Sequence, residues 1–126
     1  MDETEFKRRT RAIGLRVIRL VESLPKTRTA DVIGRQLLRS GTSIGANYRA
    51  ACRGVSRADV VSKLGDVEEE ADESLYWLEL LIDSGIVSER KLRSLMKEID
   101  EILAMTVASI RTMRRRNPKS KIQNPK

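Results

Sequence analysis

The spacing of apolar residues along the chain predicts four amphipathic helices. In the first, over residues 4–24, apolar side chains recur at steps of seven, four, three and four, which places them on one helix face. They are Phe6, Ile13, Val17, Leu20 and Leu24. Pro25 ends the helix because its ring cannot continue the backbone hydrogen bonding. The arginines of this helix lie off the apolar face, so we expect them to be solvated: Arg8, Arg9, Arg11, Arg16 and Arg19.

The segment LLRSGTSIGANYRAACRG, residues 37–54, has the glycine and small polar residues that are typical of a loop. Its apolar residues nevertheless keep a helical period, which a loop has no reason to do. We therefore predict a second helix, with Thr29 as a plausible N-cap. Its core stripe is Ile33, Leu37, Gly41, Ile44, Tyr48, Ala51 and Val55.

Three further faces of the second helix carry distinct residue types. A glycine column, aligned within about 40°, predicts the close approach of a neighbouring backbone; the alternative is glycine that is merely tolerated. The column is Gly34, Gly41, Gly45 and Cys52. We call the arginine face the basic stripe: Arg28, Arg35, Arg39, Arg49 and Arg53. A small strip, almost opposite the core, would suit a second helix contact: Ser40, Ser43, Asn47 and Ala50.

A third helix begins at Ser56 or Asp59. Its core stripe is Val60, Leu64, Val67, Ala71, Leu75, Leu78 and Ile82. The outer face is acidic in its first half, with Asp66, Glu69, Glu70 and Glu73, and apolar in its second half, with Tyr76, Trp77 and Leu80. A contiguous apolar patch that faces away from the core indicates an interface.

Gly85 suits a helix C-cap and Ser88 an N-cap, so a fourth helix follows and Pro118 ends it. Its core face is Leu92, Leu95, Ile99, Ile102, Thr106, Ile110 and Met113. Four amphipathic helices with short connections predict an all-α fold, an up-down-up-down antiparallel four-helix bundle. We assign residues 1–116 to this domain and residues 117–126 to a basic, disordered tail, which has too few apolar residues to fold.

The net charge of +7 is unevenly distributed. Residues 1–58 carry 13 Lys and Arg against 5 Asp and Glu, residues 59–110 carry 5 against 13, and residues 111–126 carry 7 against none. Such asymmetry indicates either a polyanion partner or subunits that pair by charge. A single cysteine, Cys52, is more typical of buried filler than of a nucleophile. With no signal peptide and no apolar run long enough for a bilayer, we expect a cytoplasmic protein without a membrane partner.

Several kinds of catalytic site are excluded by the residues that the chain lacks. The chain has no histidine, which excludes Ser-His-Asp and Cys-His catalysis and the Glu-x-x-His pairs of di-metal bundles. The segment SGTSIG lacks the lysine and preceding strand of a phosphate loop. The glutamates of DVEEEADE could bind a hard cation, but a solvated or subunit-facing charge run is the better interpretation, since most lie outside the core stripe. We therefore expect no enzymatic activity, no cofactor and no metal.

The arginines favour a nucleic-acid-binding function, because they could neutralise phosphates and stack on bases. The predicted nucleic-acid-binding residues are Arg28, Arg35, Arg39, Arg49, Arg53, Arg114, Arg115 and Arg116. The alternative is that these arginines pair with the acidic face of the third helix, within or between subunits. No element resembles a helix-turn-helix reader or an aromatic stacking platform, so binding would be to backbone and shape.

The stretch RQLLRSGTSIGANYRAACRG, followed by KLGDVEEEADESLYWLELLIDSGIV, resembles the bacterial four-helix bundle family, also called the 23S rRNA intervening-sequence protein family. The family's Gln–basic–Ser-Ile-x-Ala-Asn pattern is matched by Gln36, Arg39, Ser43, Ile44, Ala46 and Asn47. This chain departs from the family at Gly45, where many members have proline, and at residues 49–51, where Arg-Ala-Ala replaces Ala-Glu-Gly. No role of that glutamate is therefore carried over.

The family in turn resembles the accessory variability determinant of diversity-generating retroelements, a basic pentameric ring that binds nucleic acid and a reverse transcriptase. The resemblance implies a homopentamer, with RNA or DNA and a reverse transcriptase-like protein as partners. We expect two subunit surfaces in heterologous contact: Ser43, Asn47 and Ala50 on one, and Tyr76, Trp77 and Leu80 on the other. The leading hypothesis is a non-enzymatic oligomer that binds RNA or other structured nucleic acid; the alternative is a protein–protein adaptor or scaffold whose arginines serve subunit contacts.

Overall fold

The computed structural model describes residues 2–115, which form four α-helices: α1 (Glu3–Glu22), α2 (Arg28–Cys52), α3 (Arg57–Asp83) and α4 (Glu89–Arg115). Each helix packs against the next along the chain, and α1 also meets α4, less extensively. The predicted antiparallel four-helix bundle is confirmed. The predicted tail, residues 117–126, lies outside the described residues.

Short polar caps fix where the helices begin. The Thr27 side chain accepts a hydrogen bond from the Ala30 amide, so α2 starts two residues before the position that Thr29 would cap. The choice of Thr29 was therefore wrong, because Thr27 already supplies the oxygen that the first turn needs. At α3, Ser56 is the cap and accepts from the Asp59 amide at 3.0 Å.

The core is built from the inward faces of all four helices, as the apolar periods predicted. Its largest fully buried side chains include Ile13, Leu37, Ile44, Leu78, Leu81, Leu92, Ile99 and Ile102. Val55, placed on the α2 stripe from its spacing, is 93% exposed, because the helix ends at Cys52 and the chain turns away at Arg53. Leu81 was absent from the predicted α3 stripe but is fully buried, so the core face of α3 is wider than that stripe.

The glycine column of α2 is the surface on which α1 packs. A Cβ built on Gly41 would lie 2.7 Å from the Val17 side chain, and one on Gly34 would lie 3.2 Å from an apolar side chain of the α1–α2 connection. The backbone itself comes close only at Gly45, where a Cβ would lie 3.5 Å from the carbonyl of Thr10. The fourth member of the column, Cys52, lies at the end of α2 and lines a cleft described below.

Two serines form the buried centre of the α2–α3 contact. Ser40 and Ser74 are both fully buried, and their hydroxyl oxygens lie 2.9 Å apart in a hydrogen bond. The placement of Ser40 on a strip opposite the core was therefore wrong, since this serine packs against the chain's own third helix. Ser43, Asn47 and Ala50, the remainder of the small strip, are partly exposed.

Within residues 2–115, no helix combines the length and the apolar character that crossing a membrane requires.

Candidate nucleic-acid interface

Three arginines of the basic stripe are exposed and form no salt bridge among the described residues. Arg28 and Arg49 are exposed on α2, and Arg53 is exposed at the residue that caps the end of α2. In the part of the chain that the structure describes, none of them has a carboxylate within ion-pair distance. Their guanidinium groups are therefore available to an external anion.

Arg35 is paired only loosely. Its guanidinium lies 2.9 Å from the carboxylate of Asp31, one turn earlier on α2, and both side chains are more than half exposed. Exposed pairs of this spacing contribute only about 0.3–0.5 kcal/mol to stability. A phosphate could therefore replace Asp31 at little cost, and Arg35 remains a candidate contact.

Arg39 forms ion pairs with the third helix. It donates hydrogen bonds to Glu70, at 3.3 Å, and to Glu73. Glu73 also accepts a hydrogen bond from the indole N–H of Trp77 at 3.0 Å. The indole and then the guanidinium hold the pKa of Glu73 below its ordinary value. Arg39 thus makes the pairing with the acidic face of the third helix that the sequence left open, and it makes it within one chain.

Arg9, which we expected to be solvated, is mostly buried between α1 and α4, with 17% of its side chain exposed. It donates to both carboxylate oxygens of Glu98 and to Glu101, all at 2.7 Å. The expectation was wrong because α4 presents two carboxylates to this face of α1. Hydrogen bonding from Arg9 lowers the pKa of Glu98.

A basic groove runs between the outward faces of α1 and α2. It encloses about 460 Å³, and Lys7, Arg11 and Arg49 line it together with small and apolar residues. Arg11 was not among the predicted site residues. Its spacing from Gly14, three residues later on the face that meets α2, was the signal that could have found it. The sequence also missed that Leu15 and Ile18, which line the same groove, are about 40% exposed.

All four helices contribute to a second cavity, the end cleft, of about 450 Å³. It lies where α1 and α3 begin and α2 and α4 end, with Phe6, Tyr48 and Cys52 on one side and residues 108–113 of α4 on the other. The rings of Phe6 and Tyr48 stack, with their centroids 4.4 Å apart and their planes 27° apart. No aromatic platform was predicted from the sequence, because both residues lie on core stripes of different helices.

Arginines from three helices gather at the same end of the bundle. Arg53 follows the last turn of α2, and Arg57, in the first turn of α3, donates a 2.8 Å hydrogen bond to the Met113 carbonyl of α4. Arg114 and Arg115 are exposed in the last turn of α4. Arg116 lies outside the described residues. Arg53 of the predicted α2 group therefore lies at the same end of the bundle as Arg114 and Arg115.

The predicted apolar patch on α3 is only partly uncovered. Tyr76 is 52% exposed, and its ring meets that of Trp77 edge to face. Trp77 and Leu80 are partly buried against the bundle core. The expectation that all three face away from the core is thus correct only for Tyr76. Trp77 is further held by its hydrogen bond to Glu73.

Among residues 2–115, no cluster of three or more His, Cys, Asp and Glu side chains is placed to hold a metal ion. Two of the acidic side chains of α3, Glu70 and Glu73, both pair with Arg39.

The chain matches a protein-family model and several solved structures. A family model described as 23S rRNA-intervening sequence protein matches residues 2–108. Four chains of solved structures match. One of them is a protein with unknown function from the S23 ribosomal protein family of Bacteroides thetaiotaomicron VPI-5482, which is 35% identical with a TM-score of 0.82, over 88% of this chain and 99% of that chain. A search of curated proteins gave no match.

Proposed function

This chain belongs to the 23S rRNA-intervening sequence protein family, and we propose that it is a non-enzymatic homo-oligomer, a pentamer, which binds RNA or other structured nucleic acid through the phosphate backbone. The observation that carries the proposal is the set of exposed arginines on α2 and at its end that form no salt bridge among the described residues: Arg28, Arg49 and Arg53. The family description names 23S rRNA, which makes RNA the first polyanion to test.

The geometry of α2 suits an extended, regularly charged ligand. At about 1.5 Å per residue, Arg28 and Arg49 are about 30 Å apart along the helix axis, and they lie within about 60° of each other around it. Arg35 lies between them, and Arg11 of α1 adds a cation beside Arg49 in the basic groove. A row of cations on a convex helix positions a phosphate backbone but reads no base edges, so we expect little sequence preference.

Oligomerisation would multiply these contacts. In a closed ring each subunit repeats the same basic face, so weak phosphate contacts add through multivalency. A ring needs two different surfaces per subunit in heterologous contact. The exposed Tyr76 on α3 and the partly exposed small strip on α2 are our candidates for those two surfaces.

The decisive experiment is a pair of charge reversals with the same change in net charge. The first replaces Arg28, Arg49 and Arg53 with Glu; the second replaces Arg90, Lys91 and Lys97, which are exposed on α4 and have no carboxylate partner among the described residues. In gel shifts at about 50 and 200 mM salt, wild-type binding falls steeply with salt. We expect the α2 variant to lose binding at both salt concentrations and the α4 variant to retain most of it.

The adaptor alternative makes the opposite predictions, and the Arg39 pairs with Glu70 and Glu73 show how arginines can serve protein contacts here. In that case the α2 variant changes the mass on a sizing column, or changes nothing. The wild-type protein would also fail to shift labelled RNA at the lower salt concentration, a result that would end the RNA proposal.

A further inference from the structure

We propose that the end cleft receives one unpaired base of a single-stranded RNA segment, while the arginines around its mouth hold the adjacent phosphates. This inference rests on the proposed function, since it names the class of nucleic acid and a site that the basic stripe alone does not provide. It differs from backbone binding on α2 in one respect that can be measured: it requires a base that is free to leave its stack.

The size and lining of the cleft suit a base. Its volume of about 450 Å³ lies within the range of about 300–1,000 Å³ that small-ligand sites occupy. Tyr48 and Phe6 both line the cleft, and the stacking of their rings holds the Tyr48 ring in one orientation. Because every base has a π face, an aromatic surface of this kind binds bases of any sequence.

The opposite wall of the cleft offers polar groups to the edge of a base. Ser109 and Thr112 of α4 line the cleft and are exposed. Within residues 2–115, neither hydroxyl is engaged in a hydrogen bond to the protein. Each hydroxyl can donate and accept, so either pyrimidine or purine edges can be accommodated. On the facing wall, burial raises the pKa of the Tyr48 phenol, so the phenol stays neutral.

The charge at the end of the bundle that holds the cleft is complementary to phosphate. Arg53 and Arg57 lie where α2 ends and α3 begins, and the exposed pair Arg114 and Arg115 lies beside Met113, a lining residue. The one carboxylate that lines the cleft, Glu3, already pairs with Lys7 at 2.8 Å. Two further carboxylates at this end, Asp2 and Asp59, accept hydrogen bonds from backbone amides and have no cation partner among residues 2–115. The four arginines still outnumber them, so an anion would complement the charge.

A recessed site of this kind favours unpaired over paired bases. In a duplex each base is stacked on both sides, and its entry into a cleft between helices would require unstacking. The free-energy cost of unstacking is much smaller for a single strand, since its bases are already free to rotate outward. The arginines at the mouth alone would hold any polyanion, so the preference for a single strand is what the cleft itself would add.

The test fills the cleft without disturbing the core. Replacing Tyr48 could unfold the bundle, because this residue packs against both core clusters. Ala108→Trp instead places a large side chain in the cleft from an exposed position on α4. The matched control is Ala104→Trp, one turn earlier on α4, equally exposed and outside the cleft lining. Thermal melts should show that both variants fold.

Binding is measured with a labelled 12-nucleotide single-stranded RNA, the same sequence as a blunt duplex, and inorganic polyphosphate as a base-free competitor. We expect Ala108→Trp to weaken single-strand binding about tenfold and to leave duplex and polyphosphate binding unchanged. Ala104→Trp should change none of the three. Cys52, the one cysteine of the chain, lines the cleft and reports occupancy directly. Single-stranded RNA should slow its alkylation by iodoacetamide, and saturating duplex or polyphosphate should not.

Three results would overturn the inference, and they can be told apart. If single strand, duplex and polyphosphate all bind, and Ala108→Trp affects none of them, the cleft takes no base while the proposed function stands. If no RNA binds at low salt, both proposals fail together. Slowed alkylation of Cys52 by duplex RNA to the same extent as by single-stranded RNA would also count against base entry.

Discussion

Gly41 of α2 faces Val17 of α1 so closely that a Cβ on residue 41 would lie 2.7 Å from Val17 Cγ2. Val17 is fully buried and β-branched, so its side chain can neither move into solvent nor change rotamer freely. We therefore expect Gly41→Ala to destabilise the fold by about 1–3 kcal/mol, although alanine has the higher helix propensity. Chemical denaturation measures the change.

The control for this prediction is Gly65→Ala in the middle of α3. A Cβ at residue 65 meets nothing within 4 Å. At residue 65 only the difference in helix propensity between glycine and alanine changes the stability. The substitution should therefore stabilise the protein by up to about 1 kcal/mol. Opposite signs at the two positions distinguish a packing glycine from a tolerated one. If Gly41→Ala also stabilises, Val17 yields to the new methyl group and the close contact carries no energetic weight.

The sequence predicted the four helices because each buries one face, and burial follows the helical period of 3.6 residues. It failed where the helix ends, at Val55, and where a core face is wider than a single stripe, at Leu81. The first error concerns where a helix stops, and the second concerns how much of a helix its neighbours cover. Periodicity within one segment determines neither.

The site was less predictable than the fold. Whether an arginine is free depends on which carboxylate the neighbouring helix brings to it, and this is set by the rotation of each helix about its own axis. Arg39 and Arg49 belong to one stripe in the sequence, yet only Arg39 is placed against α3. The end cleft likewise joins residues from all four helices, and Phe6 meets Tyr48 across two of them.

The ion pair between Arg9 and Glu98 predicts a pH-dependent contribution to stability. Hydrogen bonding from Arg9 lowers the pKa of Glu98. The stabilisation is therefore complete above the unfolded pKa, about 4.3 for Glu, and is lost as the pH falls through the lower folded value. At pH 7 we expect Glu98→Gln to cost about 1 kcal/mol, after allowing for solvent screening.

Urea denaturation of wild type and Glu98→Gln at several pH values measures this contribution. The difference between the two proteins should shrink as the pH is lowered below about 4.3. Glu79→Gln is the control, because Glu79 is exposed on α3 and has no cationic partner among residues 2–115. A difference for Glu98→Gln that persists unchanged at low pH would contradict the role given to its charge.

Oligomer assembly should depend on Tyr76 more than on its neighbour. Trp77 is partly buried and hydrogen-bonded to Glu73, so Trp77→Glu would disturb the bundle itself. Tyr76→Glu changes a half-exposed side chain, and we expect it to dissociate the oligomer while the helix content is retained. Light scattering at micromolar concentration gives the mass, and circular dichroism gives the helicity.

The comparison for Tyr76 is Val55→Glu, a charge introduced at an apolar residue that is 93% exposed outside the helices. This variant should keep the wild-type mass. A wild-type mass equal to that of one chain would refute the oligomer directly. Loss of assembly in both variants would instead indicate that any added negative charge disrupts it, and Tyr76 would lose its special role.

Arg39 and Arg49 should separate fold stability from RNA binding along the same helix. Arg39 is held by Glu70 and Glu73, and Arg49 has no carboxylate partner among the described residues. For a single strand, each phosphate that binding neutralises contributes about −0.7 to the slope of log binding constant against log salt concentration. We therefore expect Arg49→Gln to flatten the slope by about 0.7 for each subunit that touches the RNA, and to leave the melting temperature unchanged.

Arg39→Gln should lower the melting temperature, raise the pKa of Glu73 towards its ordinary value and leave the salt slope unchanged. If Arg39→Gln flattens the slope as much as Arg49→Gln, its guanidinium leaves the two glutamates when RNA binds, and the whole stripe acts as one phosphate surface.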